Sequence, residues 1–251
     1  MSKLPVLSIV IPAHNEEASI RETVLAFHEE LHLEKIPHEI LVVNDNSKDS
    51  TESILKELSK QIPEVRYINN QPPNGFGFAV RCGLENFSGD CVAVVMADMS
   101  DRPVDLVAYY RKLVKGNYDA VFGSRFMKGG KTIDYPRTKL FLNRFTNGII
   151  KVLFGIRYND VTNAFKLYKK ETLEGLKPFL SHHFNLTVEL PLKAIVRGYT
   201  YAVVPNYWTN RKAGESKLKI KEMGSRYFYI ILYCLIEKWL SRGDYKKKNA
   251  S

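Results

Sequence analysis

The chain has 251 residues, 45% hydrophobic and 25% charged, with a formal net charge of +10 and a pI near 9.3. That balance suffices for a sizeable core and excludes a disordered chain. The positive excess points to anionic partners: nucleic acid, phosphorylated small molecules or an acidic membrane leaflet.

Cys82, Cys91 and Cys234 make an odd cysteine count without metal-ligand spacing, which suits a reducing cytosol. The first apolar run is short and leads into a polar turn, unlike a secretory signal. No stretch reaches the roughly 18 uninterrupted apolar residues of a membrane span.

In chain order, residues 6–11 form a β-branched run closed by Pro12. Residues 18–33 have helical spacing, with Ile20, Val24, Phe27 and Leu31 on one side. A second strand at 39–43 ends in the turn-rich segment 44–49. There Asp49 or Ser50 caps a helix carrying Ile54, Leu55 and Leu58. Residues 65–68 predict a third strand closed by QPPNG, residues 78–87 a helix, and residues 91–97 a buried strand. The acidic turn 98–101 follows, then a helix over 104–114 and a short strand over 120–123.

This alternation predicts right-handed crossovers and an α/β fold: a Rossmann-like, mostly parallel sheet with helices on both faces. Ligands bind such sheets at the carboxyl ends of strands, which singles out residues 14–17, 44–49 and 98–101. After Arg125 the pattern changes. A Gly/Lys loop at 128–131 precedes a helix from Arg137 to Phe154, and YNDVTNAFKLY reads as loop then strand. Helices near 171–180 and 186–196 lead to a strand at 199–204. One domain over 1–220 and a basic amphipathic helix with its tail over 221–251 account for the chain.

Asp98 and Asp101 follow a buried strand, where carboxylates can hold Mg²⁺ or Mn²⁺ against a diphosphate. Both can equally cap the next helix. Asp101 is the better capper and Asp98 the better ligand. Asp45 suits hydrogen bonding to a base or ribose, while Ser47 and Asp49 read as turn and cap residues. NGFGFAVRCG lacks the phosphate-loop and G-x-G-x-x-G spacings, so its glycines serve close packing of helix on sheet. The chain's six histidines show no metal-ligand or triad spacing, and no aromatic-basic motif supports nucleic-acid binding. In RKAGESK, Arg and Lys flank a Gly-Glu-Ser turn able to close over phosphates. YFYIILYCLIEKWL, flanked by basic segments, suits a helix in the membrane interface; a core helix docked on the sheet is the alternative.

Taken in order, IVIPAHNEE, VVNDNSKDST, VVMADMSDRP, GSRFMKGG and RKAGESKLK resemble the family 2 glycosyltransferases, above all the dolichol-phosphate mannose and polyprenyl-phosphate sugar synthases. The resemblance runs from about Val6 to Lys219 and implies a GT-A fold. It implies that Pro12, Ala13, His14, Glu16, Val43, Asp45, Ala97 and Asp98 bind a nucleotide-sugar of the GDP-mannose or UDP-glucose type. Asp98 and Ser100 would hold the ion. Arg125, Lys139, Arg211, Ser216 and Lys217 would meet the acceptor phosphate, with Asp98, Arg125 and Arg211 as the catalytic set.

Two departures stand out. Met96-Ala97-Asp98 replaces the family's Asp-Ala-Asp, and Asn44-Asp45 replaces a paired Asp. The implied reaction is inverting hexose transfer to a polyprenyl phosphate on the cytoplasmic face of a membrane, by a peripheral enzyme with or without a membrane-anchoring partner protein. No general base is evident, which suits an acceptor already ionised at neutral pH. A glycan or glycolipid hydroxyl acceptor is the alternative, with Asp160 or Glu189 as base; a non-catalytic nucleotide-sugar-binding or scaffold protein is another.

Overall fold

The computed structural model describes residues 4–210 and 220–247, without the side chains of 220–223. Five strands and four helices alternate first: β1 (Leu7–Ala13), α1 (Ile20–Leu33), β2 (His38–Asn44), α2 (Thr51–Gln61), β3 (Val65–Asn69), α3 (Phe76–Asn86), β4 (Cys91–Val94), α4 (Pro103–Gly116) and β5 (Ala120–Ser124). Then come β6 (Lys131–Ile133), α5 (Arg137–Phe154), β7 (Lys166–Lys169), α6 (Lys170–Leu176), α7 (Leu186–Val196), β8 (Tyr201–Pro205), β9 (Tyr207–Thr209) and α8 (Ile220–Leu240). The main sheet has the order β3-β2-β1-β4-β7-β5-β8. All neighbours are parallel except β7, which runs antiparallel to both β4 and β5. A small parallel pair, β6 with β9, stands apart.

The strands are apolar throughout because helices cover both faces. Alternate residues feed opposite cores: Ile9, Ile11, Ile40 and Val42 meet α1, α2 and α4, whereas Val10, Leu41 and Val43 meet α3 and the C-terminal helices. Gly83 lets α3 lie flat on β1, since a Cβ there would come within 2.2 Å of Val10 Cγ1. The glycine-rich run therefore serves packing. Burial pushes the Cys91 thiol up to about 12, leaving it protonated and inert.

The structure differs from the sequence reading in three respects. The reversed β7 and the three-residue strands β6 and β9 carry no sequence pattern of their own. The helix expected over 171–180 stops at Leu176, just before Pro178. Asp101 does not cap α4: Arg102 is its N-cap, without a side-chain cap bond, and Asp101 turns back to accept from the Met96 amide at 3.2 Å.

Helix α8 has two apolar faces. Ile230, Cys234 and Leu235 are buried in the second core. Glu237, also buried, accepts two hydrogen bonds from the Arg197 guanidinium at 2.7 and 2.9 Å. The opposite face exposes Phe228, Tyr229, Leu232, Ile236, Trp239 and Leu240. Phe141, Leu142, Phe145, Ile149, Val152 and Leu153 are exposed on α5 with the same spacing: i, i+1, i+4, i+8, i+11, i+12. Lys238 Nζ donates to Phe154 O, so the two helices end side by side. Among the described residues no helix is long and apolar enough to cross a membrane.

Glu237→Ala would strand a buried guanidinium, at a cost of about 3–5 kcal/mol. Urea denaturation should show this loss, whereas Glu174→Ala, which breaks the exposed pair with Lys177, should leave the midpoint unchanged. Equal midpoints for both variants would refute the anchoring role of Glu237.

Candidate active site

The carboxyl ends of β1, β2, β4 and β5 face one way, and a cleft of about 730 Å³ opens above them. Pro12, Ala13, His14, Glu16, Asp45, Asp98, Ser100, Arg125 and Lys139 all line it. Val43 and Ala97 do not: Val43 is buried in the core, and the Ala97 carbonyl accepts from Thr23 Oγ at 3.0 Å. Arg211, Ser216 and Lys217 lie outside the described residues.

The first two turns are stitched together. His14 Nδ1 meets the Asp45 carbonyl at 2.6 Å, the Asn15 amide donates to Ser47 Oγ, and the Lys48 amide donates to Asn15 Oδ1. Asp49 accepts from the Thr51 amide and hydroxyl and from the Glu17 amide, which holds its carboxyl below the usual range despite some burial. Ser47 and Asp49 are thus turn residues. The Asp45 carboxylate accepts from Asn70 Nδ2 (2.7 Å), Asn74 Nδ2 (3.0 Å) and the Gly75 amide (2.7 Å). Three of its roughly four lone-pair sites are filled by the loop that starts α3. Asp45 therefore sets the shape of that loop beside whatever hydrogen bond it offers a ligand.

On the acidic turn, Asp98 Oδ1 accepts from the Ser100 amide at 3.1 Å. Ser100 Oγ is buried without a hydrogen-bond partner. Burial and the neighbouring Asp98 charge push the Asp101 carboxyl up to about 7. Among the described residues no three His, Cys, Asp or Glu side chains converge as a metal cage. The oxygen donors of this turn nevertheless fit a hard dication that draws further ligands from a diphosphate.

Arg125 is 7% exposed, and its guanidinium is clamped by Asp160 through Nε (2.8 Å) and Nη2 (2.7 Å). Asp160 also accepts the Arg125 amide. The pair reaches the cleft edge because β7 is reversed, which brings the loop before it to the carboxyl ends of β4 and β5. Lys166, wholly buried and lowered to about 7 by burial, holds this loop by donating to the carbonyls of Val161, Asn163 and Thr187.

Neither carboxylate offered for a hydroxyl acceptor is available as a base. Asp160 is fully buried against Arg125, and Glu189 is fully buried against Lys193 and the amides of Leu180 and Ser181. Sequence reasoning missed several lining residues, notably Asn143, Thr162, Phe184 and Arg226. Asn143 Oδ1 accepts from Asn147 Nδ2 and Thr162 Oγ, and the i, i+4 spacing of the two asparagines on an apolar helix was the available clue.

The strand order, with its carboxyl-end cleft and acidic turn, defines a nucleotide-sugar transferase architecture of the GT-A type. Residues 8–176 match the model for glycosyl transferase family 2, and the chain belongs to that family of glycosyltransferases. It is 31% identical to a dolichol-phosphate mannosyltransferase of Pyrococcus furiosus, over 86% of this chain and 60% of that one. It is 30% identical to a polyprenol monophosphomannose synthase of Mycolicibacterium smegmatis, over 84% of this chain and 80% of that one. A Bacillus subtilis glycosyltransferase is 29% identical over 89% of this chain. The chain thus spans 66% and 60% of the Bacillus and Pyrococcus relatives' own lengths. Glucosyl-3-phosphoglycerate synthase from Mycobacterium tuberculosis, solved with Mn²⁺, UDP and phosphoglyceric acid, shares the fold with a TM-score of 0.71 at 18% identity, over 92% of this chain and 78% of that one.

Asp45→Ala frees three donors and should loosen the loop at 70–75. Donor-nucleotide affinity is expected to fall by about tenfold or more, read by titration calorimetry with UDP and GDP. Unchanged affinity for both would show that the loop holds its shape without Asp45.

Proposed function

We propose that this glycosyltransferase moves a hexose from a nucleoside-diphosphate sugar to a polyprenyl phosphate at a membrane surface. The carrying observation is the charge layout of the cleft. Glu16, Asp45, Asp98 and Asp101 line it after β1, β2 and β4, and Arg125, paired with Asp160, lines it after β5; the side built by α5 and α8 brings Lys139 and Arg226 and no carboxylate to the lining among the described residues. Such a side suits an anionic acceptor that needs no deprotonation. A hydroxyl acceptor would have to turn to His183, the one histidine besides His14 that lines the cleft among the described residues.

In this reading Pro12, Ala13, His14, Glu16 and Asp45 seat the nucleoside, with Val43 and Ala97 shaping the floor. Lys139, Arg226 and Arg125, with Arg211, Ser216 and Lys217 of the basic RKAGESK segment, orient the acceptor phosphate. An acceptor oxygen attacks the anomeric carbon as the bond from that carbon to the diphosphate breaks. The bonding pair leaves with the nucleoside diphosphate, and the configuration inverts. Mg²⁺ or Mn²⁺, held by Asp98 and Ser100, would neutralise charge on the leaving diphosphate. The lipid-linked acceptors named for the Pyrococcus and Mycolicibacterium relatives support the choice of acceptor.

The membrane enters through α5 and α8. Lys139, Asn143 and Thr146 in the first ten residues of α5, and Arg226 and Tyr227 near the start of α8, line the cleft; Leu142 lines it too and also belongs to the exposed apolar stripe of α5, which α8 matches. Each stripe covers about 18 Å of helix. Together they form a face that seats in the interface of a cytoplasmic leaflet, with the cleft mouth at its edge. Residues 221–251 then act as a docking segment with α5 as its partner helix.

With short-chain polyprenyl phosphate, Mn²⁺ and either GDP-mannose or UDP-glucose, lipid-linked sugar should form. The rate should drop by about 100-fold or more in Asp98→Ala. Diphosphate release without lipid product would redirect the acceptor to a hydroxyl. In vesicle flotation with anionic lipid, the wild type should float, and Phe145→Glu with Trp239→Glu should lower the bound fraction by about tenfold or more. A wild type that stays with the soluble fraction would overturn the docking face.

A further inference from the structure

We infer that Asp101 supplies the second carboxylate of the ion site, taking over from the acidic position that Met96 occupies in this chain. The inference rests on the metal-dependent transfer proposed above and assigns a residue to it. At position 96 a thioether lines the cleft where the family pattern has a carboxylate. Asp101 instead folds back under that position, so one of its oxygens accepts from the Met96 amide. Asp101 is among the residues lining the cleft, as Asp98 is, and is 2% exposed.

Burying a carboxylate there is costly without a cation. Among the described residues none is committed to Asp101: the nearby Arg125 is clamped by Asp160, and Arg102 is paired with Asp105. The independent sign of a ligand is Ser100. Ser100, 1% exposed, stands between the two aspartates in sequence among the residues lining the cleft, and its buried hydroxyl oxygen has no hydrogen-bond partner. Two carboxylates and a hydroxyl, all oxygen donors on one turn, form a hard-cation half-site that substrate phosphate oxygens complete. Strand β9 fixes the turn from outside, through the Thr209 amide donating to the Ser100 carbonyl at 3.2 Å and the bridge between Asp101 and Trp208.

The test is Mn²⁺ titration of the whole protein by electron paramagnetic resonance, with UDP and with GDP. Asp101→Asn keeps an acceptor for the Met96 amide and removes the charge. It should lower Mn²⁺ affinity by about tenfold or more, the size that even an outer-shell partner contributes. Its thermal midpoint should stay near that of the wild type. Adding Met96→Asp to Asp101→Asn should restore most of the affinity, an outcome a purely structural Asp101 does not produce. Wild-type affinity in Asp101→Asn, alongside loss in Asp98→Ala, overturns the role of Asp101 and leaves the metal-dependent reading standing. A wild type that binds no Mn²⁺ with either nucleotide overturns both.

Discussion

The reversal of β7 is the constraint on which the rest of the site depends. In an all-parallel sheet the loop entering a strand lies at the edge opposite the ligand. Because β7 runs against β4 and β5, its entering loop arrives at their carboxyl ends and carries Asp160 to Arg125. The bidentate pair is buried, and it is held by a third element through the three carbonyls that Lys166 ties together. Removing either partner would leave a charge in a low-dielectric interior, so the two must be kept together. Arg125 thus presents a charge to the cleft edge from a fixed frame, without the entropy cost of ordering a surface arginine.

The same economy explains α8. A helix that only docked on the sheet would be polar outside, and one that only lay on a membrane would need no buried ion pair. Here Ile230, Cys234 and Leu235 face the core, Arg197 grips Glu237, and the outer stripe repeats the spacing of the stripe on α5. The core-helix reading of the C-terminal segment therefore holds for the inner face of α8, and the proposed interface contact falls to its outer face. The burial of its inner face fixes the direction in which its outer face points.

Much of the fold was legible because its signals are local. The bounds of α5 and α7 follow from apolar periodicity, and Gly155 in the left-handed region marks the end of α5. The first four strands announce themselves as short β-branched runs between turns. What stayed hidden depends on distant partners. The direction of β7 is set by the neighbours it joins, and four residues carry no sign of it. Strands β6 and β9 are three residues each and exist only as a pair. At the site, sequence placed cleft-lining residues at the strand ends but could not tell a ligand-facing carboxylate from one that shapes a loop. Asp45 is surrounded by donors from residues 70–75, and Asp101 turns back to Met96. Both contacts need the folded turn before they can be seen.

The loss of a carboxylate at position 96 bears on how the acidic turn is balanced. Asp98, Asp101 and Asp105 crowd the start of α4, where the helix N-terminus favours negative charge only modestly. Asp105 is settled by Arg102 and by the Tyr207 amide at 2.9 Å. A carboxylate at 96 would add like charge to a turn that already buries one. With Met96 there, the turn carries two aspartates in the cleft lining, and the proposed ion site needs no third charge that the fold itself would have to neutralise.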